Sequence, residues 1–185
     1  MESDTRICFR SSLLAVILGI IAMTTAAAEQ PSVKIVVTSS NAPQAMRKLL
    51  NHALRLAKKS IRQQGSFSPF GVSVDKDGNY SLAYGQGIDA QTDLDTISNQ
   101  FRKQSTANEI VAAAIVYDTK IRGRDGNSVD AIYITYDSLY TPAKNGYALY
   151  FKSRNGKIKY TGFVPQEKVK TAIFTNKPRL SATQP

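Results

Sequence analysis

Cysteine and histidine are almost missing from this sequence. Its 185 residues include one Cys, Cys8, and one His, His52. A single Cys can form neither an internal disulfide nor a Cys-rich zinc site, and a single His cannot build a multi-His zinc site. We therefore expect no metal and no cofactor.

The sequence also lacks an apolar run long enough to span a membrane. Residues 13–23 form an apolar stretch of eleven, about half of the roughly 20 residues that a spanning helix needs. This stretch follows two Arg residues and precedes Ala26–Ala28, as in a secretory signal peptide that is cleaved before Glu29. We expect residues 1–28 to be removed, leaving a periplasmic or secreted protein without a transmembrane anchor. Loss of Cys8 with this peptide would exclude thiol catalysis.

Acidic residues are scarce in two parts of the chain. Pro43–Gln64 has six basic residues and no acidic one, and Lys144–Arg179 has nine basic residues and one acidic. Between them, Asp75–Asp137 has ten acidic residues against six basic. The net charge of +10 is therefore polarised along the sequence, and it favours an acidic partner.

Two helices are predicted. For the first, Asn41 is a suitable N-cap, Pro43 fits the first turn and Gly65 is a C-terminal stop. Apolar residues within it recur at the i, i+3, i+4 spacing that gives a helix one buried face. They are Met46, Leu49, Leu50, Ala53, Leu54, Ala57 and Ile61. The second helix is expected to start at Thr92, with Asp95 in capping-box spacing.

Strand signals fill most of the remaining chain. The segments that favour strands are 33–37, 70–74, 80–84, 110–117, 129–136, 147–151 and 158–163. Asp77-Gly78 and Asn155-Gly156 are typical of hairpin turns. Ile110–Tyr117 is apolar throughout, as expected of a strand covered on both faces, and an N-terminal segment or a second subunit could supply the second cover.

The order of elements predicts the fold class. It reads β?-α-ββ-α-ββββ, which indicates an α+β fold with a largely antiparallel sheet of about five to six strands and two helices packed on one face. Length and a hydrophobic fraction of 42% suit one folded domain. We expect this domain at residues 29–175, with a short segment of undefined type at Gln166–Phe174 and a disordered tail at 176–185.

The segment after the first helix resembles a family pattern. Gly65–Gly71 reads G-S-F-S-P-F-G, and it is followed in order by Asp77-Gly78, Val116–Asp118 and Asp130–Ile132. This order resembles a loose group of small uncharacterised bacterial α+β domains that carry a G-x-F-x-P-F-G segment after a basic first helix. The resemblance covers about residues 50–163. It implies the fold, with these motifs as a helix stop, a strand start and turns, and it implies no activity.

Acidic clusters give weak indications of chemistry. Asp75–Asn79 begins like a calcium loop, but Tyr80 stands where the loop needs Gly and Gln86 where it needs a bidentate Glu, so a hairpin turn is favoured. Three further acids lie at or near predicted strand ends, where a pair of carboxylates could perform acid–base catalysis. They are Asp118, Asp130 and Asp137. Nothing in the sequence brings two of them together, so no catalytic residue can be assigned.

The outer face of the first helix carries the candidates for anion binding. These residues are Arg47, Lys48, Arg55, Lys58, Lys59 and Arg62. Like charges four residues apart destabilise a helix by about a few tenths of a kcal/mol per pair, so helix stability does not explain them. A bound polyanion would relieve the repulsion, and a solvated helix face is the alternative. His52 lies beside these cations, where we expect a solvated and neutral imidazole.

Tyrosine is concentrated in the predicted strands. All nine Tyr residues lie between Tyr80 and Tyr160. Exposed aromatic rings on a sheet could stack on sugars or hold a peptide, whereas the strand propensity of Tyr also accounts for the pattern.

Together these features favour an exported, non-enzymatic binding or accessory domain. Its expected partner is an anionic envelope polymer, a lipid headgroup or an acidic protein. Export disfavours nucleic acid as a partner. The sequence is compatible with a homodimer. Two alternatives also stay open: an exported hydrolase with a carboxylate- or Ser/Tyr-based site, and an inhibitor or immunity factor for an exported enzyme.

Overall fold

The computed structural model describes residue 38 and the ranges 40–123, 125–166 and 173–175. These residues all belong to a single compact unit. The predicted signal peptide, the predicted strand 33–37, the tail 176–185 and most of the segment 166–174 lie outside the described residues.

Two helices and seven strands make up the described chain. They are α1 (Ala42–Gln64), β1 (Phe70–Val74), β2 (Tyr80–Tyr84), α2 (Ala90–Thr106), β3 (Ala112–Arg122), β4 (Ser128–Ser138), β5 (Lys144–Lys152), β6 (Ile158–Tyr160) and β7 (Val164–Gln166). Neither helix is long and apolar enough to cross a membrane.

The strands form one antiparallel sheet in the order β2-β1-β3-β4-β5-β6, and β7 pairs with β5. This confirms the predicted α+β class and the antiparallel sheet. The strand count exceeds the predicted five to six because the short segment Val164–Gln166 forms a seventh strand along the first half of β5.

The two helices pack on opposite faces of the sheet, which corrects the expectation that both would lie on one face. Side chains along a strand point alternately to its two faces. In β3, Ala114 and Val116 belong to the core under α1, whereas Ala113 and Ile115 pack with Phe101 of α2. The apolar run predicted to need cover on both faces therefore receives it from the two helices of this domain.

Helix α1 forms where its sequence signals place it. Five of the seven residues of its predicted apolar face are buried, and Leu50 and Leu54 are half-buried at the margin of that face. The chain leaves the helix through Gly65 at φ 81°, a conformation that glycine adopts without strain. Asn41 is the residue before the helix, but its side chain makes no cap bond. The Asn41 Oδ1 atom instead accepts a hydrogen bond from the Thr38 amide at 2.7 Å.

Helix α2 begins two residues before the predicted Thr92. Asp89 is the N-cap, because its carboxylate accepts a hydrogen bond from the Thr92 amide at 2.9 Å and another from the Thr92 hydroxyl. Thr92 is therefore a partner of the cap and not the cap itself.

Both predicted hairpin turns are confirmed. β1 and β2 pair up to Val74 opposite Tyr80, and β5 and β6 pair up to Lys152 opposite Ile158. In the first turn, the Asp75 carboxylate accepts hydrogen bonds from the Asp77 and Asn79 amides at 2.8 Å each. The Asp75 side chain thus stabilises the turn, as the hairpin interpretation predicts.

A buried carboxylate joins residues 173 and 174 to the sheet. Asp137 of β4 is 0% exposed. Its Oδ2 atom accepts hydrogen bonds from the backbone amides of Ile173 at 2.9 Å and Phe174 at 3.0 Å. The two apolar side chains thereby join the core under α2.

Candidate functional site

The six predicted anion-binding residues lie on the side of α1 that faces away from the sheet. Five of them are exposed, and Lys58 is half-buried. At 3.6 residues per turn they span an arc of roughly 120° opposite the buried stripe. Since α1 contains no acidic residue, every charged residue on this face is a cation.

Four of the six cations line one depression on α1. They are Arg55, Lys58, Lys59 and Arg62, with Asn51, Leu54 and Gln63 beside them. Arg47 and Lys48 lie nearer the start of the helix, outside the depression. The structure therefore concentrates the candidates in the last three turns of α1.

Tyr160 of β6 holds two of these cations. Lys58 Nζ lies 4.9 Å and the Arg62 guanidinium 5.8 Å from the centre of the Tyr160 ring, distances at which a cation is attracted to an aromatic face. The Tyr160 hydroxyl donates a hydrogen bond to the Lys58 carbonyl at 3.3 Å. Burial raises the pKa of Tyr160 and Arg62 opposes that rise, so the hydroxyl is neutral near pH 7.

Lys152 of β5 adds a further cation at the end of α1. Its ammonium group donates to the carbonyl of Gly65 and lies 5.6 Å from the centre of the Tyr150 ring. Cations are stabilised at a helix C-terminus by the helix dipole. We call Arg55, Lys58, Lys59, Arg62 and Lys152 the basic surface. It joins two regions, the first helix and the C-terminal third, that were basic in the sequence but far apart.

The sequence did not reveal the roles of Tyr160 and Lys152. Both lie in the basic C-terminal third, so composition gave a general signal. Their contacts with α1 bridge 102 and 87 positions of the chain, and no local pattern encodes such a pairing.

Two of the three predicted carboxylates interact on the α1 side of the sheet. The Tyr150 hydroxyl donates a hydrogen bond to Asp118 Oδ1 at 2.8 Å, and Tyr150 is only 2% exposed. Burial raises the pKa of Asp118, the Tyr150 bond opposes that rise, and the charge of Asp130 adds to it. Asp137 is not part of this group, because its side chain binds the backbone of Ile173 and Phe174.

His52 is not the solvated side chain expected from its position on the helix. Its ring stacks on Tyr80 of β2, with ring centres 4.8 Å apart and planes 11° apart. Arg55 lies 3.1 Å from its Nδ1 atom. Partial burial lowers the pKa of His52, and the charge of Arg55 lowers it further. The expected neutral imidazole is consistent with both effects.

Within the described ranges, no group of three or more His, Cys, Asp and Glu side chains is placed to hold a metal ion. Comparison with protein-family models, curated proteins and solved structures gave no match. The resemblance based on the G-x-F-x-P-F-G segment thus stays a prediction, and the function has to be argued from the geometry of this chain.

Proposed function

We propose that this protein is a non-enzymatic binding domain that holds an anionic component of the cell envelope on its basic surface. The observation that carries the proposal is the meeting of α1 and β5: four cations of an acid-free helix line one depression, and Lys152 joins them at the helix end. The ligand chemistry is a row of phosphate or carboxylate groups, as in a lipid bilayer surface or an anionic polymer.

The contacts of these cations suit a multivalent anion. Lys58 and Arg62 are oriented by the Tyr160 ring, so less side-chain freedom is lost when an anion binds. Packing over a neutral ring leaves their charge uncompensated. Each Lys or Arg near an anionic surface contributes about 1 kcal/mol.

The envelope as the source of the anion depends on the signal peptide expected at residues 1–28. An exported chain meets lipid headgroups and envelope polymers before it meets nucleic acid. A basic surface then also speeds encounter with such partners by electrostatic steering.

The test compares the full chain with the variant Arg55→Ala/Lys58→Ala/Arg62→Ala. Binding is measured to phosphatidylcholine vesicles that contain phosphatidylglycerol, and to heparin as a soluble polyanion, over a series of salt concentrations. Loss of three cations should weaken binding by about 3 kcal/mol, roughly 100-fold. Wild-type binding should fall steeply with salt. A preference for vesicles indicates a headgroup, and a preference for heparin indicates a polymer.

A matched control removes the same charge elsewhere. Lys76, Lys103 and Lys144 are exposed and lie on the first hairpin turn, α2 and β5, outside the depression. Their triple replacement by Ala should retain most of the affinity. Equal losses in both triple variants would show that only the net charge matters and would overturn the proposal.

A further inference from the structure

A crevice lies on the opposite side of the sheet, between α2 and strands β3 and β4. Its volume is about 200 Å³. Four polar residues of α2 line it at successive turns of one helix face: Gln91, Asp95, Ser98 and Arg102. Thr135 of β4 faces them, and Leu94, Ile115 and Ile173 add apolar surface. No residue of the crevice belongs to the basic surface.

A row of three tyrosines begins at this crevice. Tyr117 of β3 forms part of its lining. Tyr133 of β4 is paired directly with Tyr117, and Tyr147 of β5 is paired directly with Tyr133. The Tyr117 and Tyr133 ring centres are 5.1 Å apart, and all three side chains are half-buried. The row therefore continues the crevice across three strands, and it ends beside Val164 of β7, which is 43% exposed.

The chemistry of the crevice suits a neutral ligand that is rich in hydroxyl groups. One acid, Asp95, balances one base, Arg102, so the lining carries no net charge that would attract a polyanion. The Gln91 amide donates to Asp95 Oδ1 at 3.1 Å, and Arg102 donates to Asn99 at 3.1 Å. These contacts hold side chains that offer both donors and acceptors. Aromatic and aliphatic surface beside them matches the apolar face of a sugar ring.

Size and topology restrict the occupant. A volume near 200 Å³ is below the roughly 300–1,000 Å³ of pockets for drug-sized ligands, so the crevice accommodates about one ring. A peptide bound as an added strand would need an open strand edge. The crevice lies over β3 and β4, each of which is paired on both sides, so no open strand edge adjoins the crevice among the described residues.

We propose that the crevice binds one pyranose ring of a saccharide, and that further sugar residues of an oligosaccharide lie along Tyr133 and Tyr147. This inference does not depend on the proposed function, because it uses the other face of the sheet and different residues.

The test uses saturation-transfer NMR with the full chain and a panel of sugars. The panel contains neutral hexoses, N-acetylhexosamines and hexuronic acids, each as a monosaccharide and a trisaccharide. At least one sugar should receive saturation, with tighter binding of its trisaccharide. Gln91→Ala/Arg102→Ala should weaken that binding by at least roughly tenfold, about 1.4 kcal/mol.

Matched variants separate the crevice from general effects. Gln100 and Lys103 lie on the exposed face of α2, away from the crevice, and Gln100→Ala/Lys103→Ala should leave sugar binding unchanged. Tyr147→Ala should weaken the trisaccharide but not the monosaccharide, because only the longer ligand reaches β5.

Three outcomes would overturn the inference. The first is that no sugar in the panel receives saturation. The second is that the wild type and Gln91→Ala/Arg102→Ala bind sugar equally well. The third is loss of sugar binding in Arg55→Ala/Lys58→Ala/Arg62→Ala but not in the crevice variant, which would assign the sugar to the basic surface. Failure of vesicle and heparin binding leaves this test unaffected, so the two proposals fail separately.

Discussion

Asp118 sits in surroundings that oppose its own charge. Burial raises its pKa above the ordinary 3.8 and the charge of Asp130 adds to the rise, although the hydrogen bond from Tyr150 and the charge of Lys152 partly oppose it. A neutral amide could accept the same hydrogen bond without the desolvation cost. We therefore expect Asp118→Asn to raise the free energy of unfolding at pH 7, by about 0.5–1 kcal/mol once solvent screening of a half-exposed group is included.

The pH dependence of this gain follows from the direction of the pKa shift. Because the pKa is higher in the folded state, the native protein binds more protons than the unfolded chain between the two pKa values, and its stability rises as the pH falls through that interval. The gain from Asp118→Asn should therefore shrink as the pH approaches 3.8. Urea denaturation at pH 7 and near pH 4 measures both values. A loss of stability at pH 7 would show that the hydrogen bond from Tyr150 and the attraction to Lys152 outweigh the desolvation of the carboxylate.

Single residues were predictable only as far as local spacing determines them. The helical wheel correctly placed the six cations on the outer face of α1. It could not place His52 against Tyr80, or Lys58 against Tyr160, because those partners come from strands whose position depends on the whole fold. The proximity of Asp118 and Asp130 could not be predicted for the same reason.

At the scale of elements, α2 rests directly on the backbone of β1. A Cβ atom added at Gly71 would overlap the Phe101 ring and lie 2.7 Å from Ile97, and both of these side chains are fully buried. Gly71→Ala should therefore push α2 away from the sheet and destabilise the fold by about 1–3 kcal/mol. Thermal or urea unfolding measures the change.

Gly162→Ala is the matched control, because a Cβ atom there meets nothing within 4 Å. Its expected effect is close to zero or slightly stabilising. If both replacements have the same effect, then the contact with Phe101 does not decide how α2 packs.

Elements were predictable where a local signal fixes them. Gly65 ended α1 as expected, and the two Gly-containing turns fixed both hairpins. The start of α2 was displaced because Asp89, three residues before Thr92, accepts from its amide and hydroxyl. The apolar run Ile110–Tyr117 predicted that both faces of one strand are covered. Which elements cover them depends on the path of the chain across the sheet, and local sequence does not determine that path. β7 has only three residues, and one of them is Pro165. Such a segment is too short and irregular to predict as a strand.

At the scale of the molecule, six of the 24 basic residues lie on one side of α1, where their mutual repulsion lowers stability. Arg55 and Lys59 are four residues apart. Each also lies three residues before another cation, Lys58 and Arg62 respectively. Arg55→Gln/Lys59→Gln should raise the free energy of unfolding in about 10 mM salt by roughly 0.3–1 kcal/mol. Screening should remove this gain near 1 M salt, where the Debye length is about 3 Å.

Lys76 and Lys103 provide the comparison, since both are exposed and Lys76 lies between two acids in the first hairpin turn. Lys76→Gln/Lys103→Gln should produce no gain at low salt. Urea titrations of both double variants at the two salt concentrations make the measurement. A gain that persists at high salt would indicate a cause other than charge repulsion.

At this scale, the sequence predicted the basic regions of the candidate site but not how they are brought together. Charge counts along the sequence identified two basic regions but not their contact, because α1 reaches the β5–β6 hairpin only once the whole sheet has formed. The tyrosine row has the same origin. Strand propensity explains why Tyr is frequent in β3, β4 and β5, whereas the pairing of Tyr117, Tyr133 and Tyr147 depends on the alignment of three strands.

The hydrogen bonds of the Asp137 carboxylate indicate at what stage the fold can be completed. Its two amide donors and two side chains of the core under α2 come from residues 173 and 174, which follow both helices and all seven strands of the described chain. Because synthesis proceeds from the N-terminus, these groups are added only after the residues of the sheet. Until then one face of the sheet is incompletely covered and Asp137 lacks both donors, which opposes stable folding. Ile173 and Phe174 thus complete the core under α2 in a late step of folding, after the residues of the sheet are already present.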